Sequence, residues 1–441
     1  MTNRNKYKKT VVITPEFYNY GALLITGILK DNDYNTTLIK GFENNNQNHE
    51  ITFISLQSTI HIIKYKKEIE SIKGITIIGG PITRDPSIIL NNLNVDIVVL
   101  GEGEDTILEI MKKLEKTNDK NNLYNIDGIA YLNNDNEIII NPQKTKPSIN
   151  RSLPYVPSDI NKEQIRGANT YIETHRGCSG HCSFCQVPCF FGREIRSRKT
   201  EDIIKEVKYF KNHGAERIAI SGGTGTLYGS KDFRINDDQF TNLLKEISNI
   251  TKPANLTIPD IRVDLVTPKT LNAIKKYTNQ WVFYGIESGS QRILKKMKKG
   301  ITLDQINNAV DLARFAGLKI AGSFIVAYPG ETEEDFDQTL DLVADLSLDD
   351  YFISIAEPIP GTQLAKDIKD YPDEENLLYQ KSKKYKKENY SVAEERALDL
   401  MIESYIFRSH PVMMNKNLLN TLKDEVKQQH EHITKVMKLY K

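Results

Sequence analysis

Arg176-Gly177-Cys178-Ser179-Gly180-His181-Cys182-Ser183-Phe184-Cys185 is the stretch on which the reading of this chain turns. Three thiols spaced Cys-x-x-x-Cys-x-x-Cys on a loop can hold three irons of a four-iron cubane and leave the fourth iron without a protein ligand. The same spacing serves a zinc knuckle completed by His181 or Cys189, or an electron-transfer cluster with Cys189 as fourth ligand. All four cysteines lie between 178 and 189. A disulfide scaffold would spread them, so the clustering points to a reducing compartment and a metal.

Around this loop the chain alternates strand and helix signals. Strands are expected at Tyr171–Thr174, Arg217–Ser221, Asn255–Ile258, Trp281–Gly285, Lys319–Ala327 and Tyr351–Ile355. The helix after the cysteines shows the logic. Thr200 can cap it, Glu201 and Asp202 suit its positive end, and Ile203, Ile204, Val207 and Phe210 share one face. Six such units predict an open, partial (β/α)6 barrel with its chemistry at the carboxyl ends of the strands.

Towards the N-terminus, apolar runs at 10–13, 36–39, 51–54, 75–78 and 96–100 predict a parallel sheet covered on both faces. This is a doubly wound, Rossmann-like domain, whose ligands bind beyond the carboxyl ends of its strands. Gly79-Gly80-Pro81 and Gly101-Glu102-Gly103-Glu104 stand there. A hairpin is expected at 128–132 and 137–140, followed by a segment studded with Pro142, Pro147, Pro154 and Pro157. The resulting division is a doubly wound domain over 1–140, a linker over 141–166, a barrel over 167–370 and a helical extension over 371–441.

Composition narrows the function classes. Lys plus Arg total 59 against 58 for Asp plus Glu. Without a broad positive field, neither a nucleic-acid coat nor a polybasic membrane binder is expected. The basic opening Arg4 to Lys9 is followed only by Val11-Val12-Ile13, too short for a signal-peptide core. No apolar stretch has the length of a membrane span. The expectation is a cytoplasmic protein.

The motifs together resemble the radical S-adenosylmethionine (SAM) superfamily, and the domain order resembles its cobalamin-binding-domain class; the resemblance covers roughly residues 10 to 365. It implies a [4Fe-4S] cluster on Cys178, Cys182 and Cys185, SAM on the open iron, and Phe184 against the adenine. It further implies SAM contacts at Gly222 and Gly223 of Ser221-Gly222-Gly223-Thr224, where Thr224 replaces the usual acidic residue. Glu287 and Ser288 of Gly285-Ile286-Glu287-Ser288-Gly289-Ser290 match the segment near ribose and methionine. Phe324 to Thr332 resembles the strand and turn near the adenine, with Ala327 in place of a customary glycine, and Pro358-Ile359-Pro360-Gly361-Thr362 resembles the loop after the last strand.

For the first domain the resemblance implies cobalamin held at Tyr18, Gly79, Gly80, Gly101 and Glu102. An empty or nucleotide-binding doubly wound domain has the same pattern. Many cobalamin domains carry Asp-x-His-x-x-Gly after the first strand, whereas this chain has Glu16-Phe17-Tyr18-Asn19-Tyr20-Gly21. Tyr18 stands where the axial histidine would be, so no histidine is expected on the cobalt, and His49 and His61 are expected on a solvated surface. Lys295, Lys296, Lys298 and Lys299 are read as a solvated helix face.

The function implied is methyl transfer to an unactivated carbon of a protein side chain or a biosynthetic intermediate. Its partners would be that substrate and an electron donor such as a ferredoxin or flavodoxin. Two alternatives stand beside it. One is ring formation or rearrangement by the same radical. The other is methylthiotransfer to RNA or protein, since Cys182 to Arg198, with Val187-Pro188 and Gly192-Arg193-Glu194, is similar to that family. Those enzymes hold a second cluster on N-terminal cysteines, and this chain has none before Cys178.

Overall fold

The computed structural model describes residues 9–43, 49–116 and 120–440; the basic opening, apart from Lys9, lies outside them. The chain forms two compact units. The first comprises residues up to Arg176 with 189–192 and 196–219, and the second comprises 177–188, 193–195 and everything from Ile220. The expected linker over 141–166 and the helix Thr200–Asn212 therefore belong to the first unit.

The first unit is built on a seven-stranded sheet, ordered β2-β1-β3-β4-β5-β6-β7. Its strands are β1 (Thr10–Thr14), β2 (Thr36–Lys40), β3 (Ile51–Ser55), β4 (Ile75–Gly79), β5 (Ile97–Val99), β6 (Ile129–Leu132) and β7 (Ile138–Asn141). The first five run parallel and the last two form the expected hairpin, whose β6 pairs antiparallel with β5. Val12, Ile51, Phe53, Ile77 and Ile97 are buried against Ala22, Leu29, Ile107 and Ile110, as continuous apolar strands require. Asn19 starts the first helix, Tyr20–Asp31. Its Oδ1 accepts from Ala22 N at 2.9 Å and Ser55 Oγ at 3.0 Å, so one cap ties that helix to the carboxyl ends of β1 and β3.

The helix Thr200–Asn212 buries Ile203, Val207 and Phe210 as its spacing predicts. Its start differs from expectation: Lys199 occupies the cap position without a side-chain cap bond, and Thr200 is already helical. Asp and Glu in the first turn still suit the helix dipole.

The most heavily charged interior also lies in this unit. Arg176 is buried and meets Glu173 at 2.9 Å, Glu102 at 2.5 Å, and Glu104. Arg196 pairs with the second oxygen of Glu102, while Arg151 reaches Glu173 at 2.7 Å and Arg198 reaches Glu206 at 2.7 Å. Burial pulls the Glu173 carboxyl upward, but Arg151 and Arg176 beside it more than offset this and hold it below the usual carboxylate range.

In the second unit Ile261–Arg262, Trp281–Glu287, Lys319–Val326 and Asp350–Ile355 form a parallel four-stranded sheet in that order. Helices Pro268–Tyr277, Leu303–Phe315 and Glu333–Leu346 alternate with the strands, each behind a Thr-based capping box. The extension carries helices Val392–Ile406 and Lys416–Met437, whereas 370–390 is mostly turn. Gln429 on the last helix works as a short strand: its Oε1 accepts from Ile355 N and its Nε2 donates to Ile353 O, both at 3.1 Å. The sheet edge is thereby covered.

Replacing Arg176 with Met leaves buried carboxylates without their cation and is expected to cost about 3–5 kcal/mol, read as a drop in melting temperature by circular dichroism. Gln429→Ala removes both edge bonds at once; a loss of roughly 1–2 kcal/mol in denaturant titration is expected.

Candidate functional site

The cysteine loop is fixed mainly through Ser183. Its N donates to Met297 O at 2.8 Å, its hydroxyl lies 2.6 Å from Tyr328 Oη, and its carbonyl accepts from Leu364 N at 2.8 Å. Phe184 packs against Ile293, Met297, Tyr328, Ala356 and Leu364. Cys185 N closes a turn onto Cys182 O at 3.1 Å. The three thiols are thus presented on a loop whose intervening residues are stapled to the barrel.

The glycine turn Gly222-Gly223 lies against this loop. At Gly223, with φ +79°, a Cβ would stand 3.0 Å from Gly177 O and 3.3 Å from Cys178 Cβ, so only glycine fits. Thr224, where an acid is customary, places its Oγ1 4.0 Å from Cys178 Sγ. Burial pushes the Cys185 thiol up to about 12 and also raises Cys182, although Lys299 and Arg262 oppose the latter shift. Without metal these thiols are protonated at neutral pH.

A buried ion pair completes this region. Glu287 follows a bulge in its strand, with φ +74°, and its Oε1 accepts from Lys299 Nζ at 2.6 Å. Lys299 Nζ also lies 5.9 Å from the Phe184 ring centroid. The expected solvated lysine face is therefore right for Lys295, Lys296 and Lys298, which are exposed, but not for Lys299. A cation three residues past the helix Gln291–Lys296 looks solvated in sequence; its partner Glu287 lies 12 residues away and cannot be read from helical spacing.

Ser288 is fully buried, and its hydroxyl meets Thr339 Oγ1 at 3.2 Å and accepts from Ser290 N at 3.1 Å. Its side chain serves the turn. Ala327 adopts φ +56°, which accounts for the glycine customary there. Its N donates to Glu331, which Arg396 holds at 2.6 Å.

Three cysteines, a glycine turn and a charged pair fit a [4Fe-4S] cluster better than a zinc knuckle. His181, one of the two residues that could complete a zinc knuckle, is exposed.

At the carboxyl edge of the first sheet, Gly79 is open, since a Cβ there would meet nothing within 4 Å. Gly80, at φ +107°, is packed instead: its Cβ would stand 2.3 Å from Leu56 O. Gly101, at φ +64°, faces the Gln143 side chain at 2.8 Å. The Glu102 carboxylate is taken by Arg176 and Arg196, and its carbonyl accepts from Gln143 Nε2 at 2.6 Å. Tyr18 is buried, with Lys40 Nζ 4.7 Å over its ring and its N donating to Glu163 at 3.2 Å. Burial, then Asp159 bonded to its hydroxyl, raises the phenol well above its ordinary value.

His49 and His61 are both buried, contrary to the surface expectation. His61 lies 3.6 Å from Glu16, so the carboxylate after β1 has a histidine partner supplied from the segment after β3.

No helix among the described residues is long and apolar enough to cross a membrane. Comparison with known proteins agrees with the site. The model of the radical SAM superfamily matches residues 172–343. A putative methylthiotransferase of Methanocaldococcus jannaschii is 46% identical across 98% of this chain and 95% of its own length. Among solved structures, the radical SAM methyltransferase TsrM of Kitasatospora setae aligns with a TM-score of 0.69 at 13% identity, covering 98% of this chain and 99% of TsrM. The cobalamin-dependent enzyme OxsB aligns at 0.66 and 15% identity, covering 98% of this chain and 79% of OxsB. A relative so similar along nearly its whole length, together with the match of the family model over the cysteine loop and glycine turn, settles the family: the chain belongs to the radical SAM superfamily and has the fold of TsrM and OxsB.

Proposed function

We propose that this chain is a cobalamin-dependent radical SAM methyltransferase acting on an unactivated carbon of a protein side chain or a biosynthetic intermediate. The observation that carries the reading is the trio Cys178, Cys182 and Cys185 on a loop against which Gly223 is pressed, in a chain with the fold of TsrM and OxsB. TsrM is a methyltransferase seen with cobalamin and a [4Fe-4S] cluster bound, and OxsB has been seen with cobalamin and SAM.

When bound, the cluster and SAM supply a 5′-deoxyadenosyl radical and cobalamin carries the methyl group. The protein's share is placement. Cys178, Cys182 and Cys185 would hold three irons and leave the fourth for SAM. Gly222 and Gly223 would offer backbone to the SAM amino group, Phe184, packed on the apolar cluster around Met297 and Tyr328, would lie against the adenine, and Glu287, held by Lys299, would approach the ribose and methionine. In the first unit Gly79, where a Cβ would meet nothing within 4 Å, would let a flat corrin approach the backbone, with Gly80 and Gly101 shaping the turns beside it. Tyr18, kept neutral by burial and by Asp159, would meet a bound corrinoid as a phenol and not as a phenolate.

The name of the Methanocaldococcus relative favours a second reading, methylthiotransfer. That chemistry as known in the resembling family uses a second cluster, and this sequence has no cysteine before Cys178.

Anaerobic reconstitution with iron, sulfide, cobalamin and labelled SAM, followed by mass spectrometry, tests the proposal. One cubane's worth of iron, a bound corrinoid, and both 5′-deoxyadenosine and S-adenosylhomocysteine are expected. Deoxyadenosine alone would point to rearrangement, and sulfur gained by the product to methylthiotransfer; either would overturn methylation. Changing the three cysteines to Ala should abolish SAM cleavage and leave corrinoid binding intact.

Cluster assembly must also remove protons from thiols that burial has raised. The fraction of chain loaded at fixed iron and sulfide should therefore climb from pH 7 to 9, read from iron content.

A further inference from the structure

Arg262 belongs to none of the motifs, yet it touches the cysteine loop. It closes the short strand Ile261–Arg262, in register with Gly285 on the neighbouring strand, and its side chain is almost wholly buried. Its Nε and Nη2 donate to the two oxygens of Asp264 at 2.9 and 3.0 Å, and Nη2 donates again to Lys299 O at 2.8 Å. These bonds fix the plane of the guanidinium and leave Nη1, which lies 3.5 Å from Cys182 Sγ. Gly180 makes this approach possible. A Cβ there would stand 3.1 Å from Nη1 and 3.5 and 3.7 Å from the sulfurs of Cys178 and Cys182.

We propose that Arg262 is a positioning residue that donates a hydrogen bond through Nη1 to the iron-bound sulfur of Cys182 and thereby raises the reduction potential of the cluster. The inference rests on the reading that the trio holds a [4Fe-4S] cluster. Reduction adds one electron, supplied by a one-electron donor protein, and so one negative charge to the cluster and its thiolates. A charged donor aimed at sulfur stabilises the reduced form more than the oxidised one. No proton moves, because a guanidinium stays charged throughout. Asp264 and Lys299 O ensure that the donor is already aimed before the electron arrives.

The test is a redox titration of the full-length, anaerobically reconstituted chain, followed by electron paramagnetic resonance of the reduced cluster without SAM. Arg262→Gln should hold as much iron and sulfide as the unaltered protein. At the poise that half-reduces the unaltered cluster, its ratio of reduced to oxidised cluster should fall about tenfold, which is ~59 mV for one electron. Arg262→Lys, which keeps the charge and loses the fork, should fall between. An unchanged midpoint in Arg262→Gln with full iron overturns the proposal. Should that variant lose iron, the same titration on Arg262→Lys and Asp264→Asn decides, and midpoints equal to the unaltered protein in both overturn it. A cubane missing from the unaltered chain would instead sink the cluster reading, which the iron and sulfide content measures on its own.

Discussion

The structure is organised around one buried cation. Arg176 is the last residue of the first unit before the cysteine loop, and Glu102, Glu104 and Glu173 surround it. Removing charges from water is costly unless each finds partners, so such a cluster tolerates few arrangements of the chain. Glu102 and Glu104 follow β5, Glu173 ends the strand Thr170–Glu173, and Arg196 comes from the return segment after the cysteines. Within the first unit these ion pairs bring together segments more than 70 residues apart and fix the point from which the chain enters the cysteine loop. Hydrophobic burial makes the sheet; the arginines specify how its ends are joined.

Much of this was legible beforehand. Period and composition located the strands of both sheets to within a few residues, except Ile261–Arg262, which lies beyond the expected strand Asn255–Ile258, because a buried strand must be apolar whatever it pairs with. The cysteine spacing was legible because a metal restricts the distance between its ligands. Glycine turns were legible at Gly223, where φ +79° and contact with Cys178 exclude a side chain.

What could not be read is the pairing of charges across long stretches of sequence. Glu102 looked like a ligand contact because it stands at the carboxyl edge of β5, where ligands bind, yet its carboxylate belongs to Arg176 and Arg196. Lys299 looked solvated because it sits among lysines, and Ser288 was expected to face SAM, whereas its hydroxyl is engaged by Thr339 Oγ1 and Ser290 N. His61 gave no local signal of burial; its partner Glu16 lies 45 residues earlier. The segment 370–390 has helix-forming residues but makes turns, since Tyr390 is drawn into the interior and Lys381 bridges to Ser391. In each case a tertiary contact overrides a local preference.

The cations near the thiols share one design. Lys299 carries Glu287 and Arg262 carries Asp264, so each enters the interior as part of a neutral pair. A lone cation beside neutral thiols would be costly to bury, and the metal-free chain, whose Cys182 and Cys185 are held protonated, would fold poorly around it. Pairing removes that cost and still leaves Arg262 Nη1 on the sulfur side. When iron displaces the thiol protons into solvent, the thiolate charge would develop next to donors already in place, and little reorganisation would remain to be done. The site is thereby stable without its metal and electrostatically prepared for it.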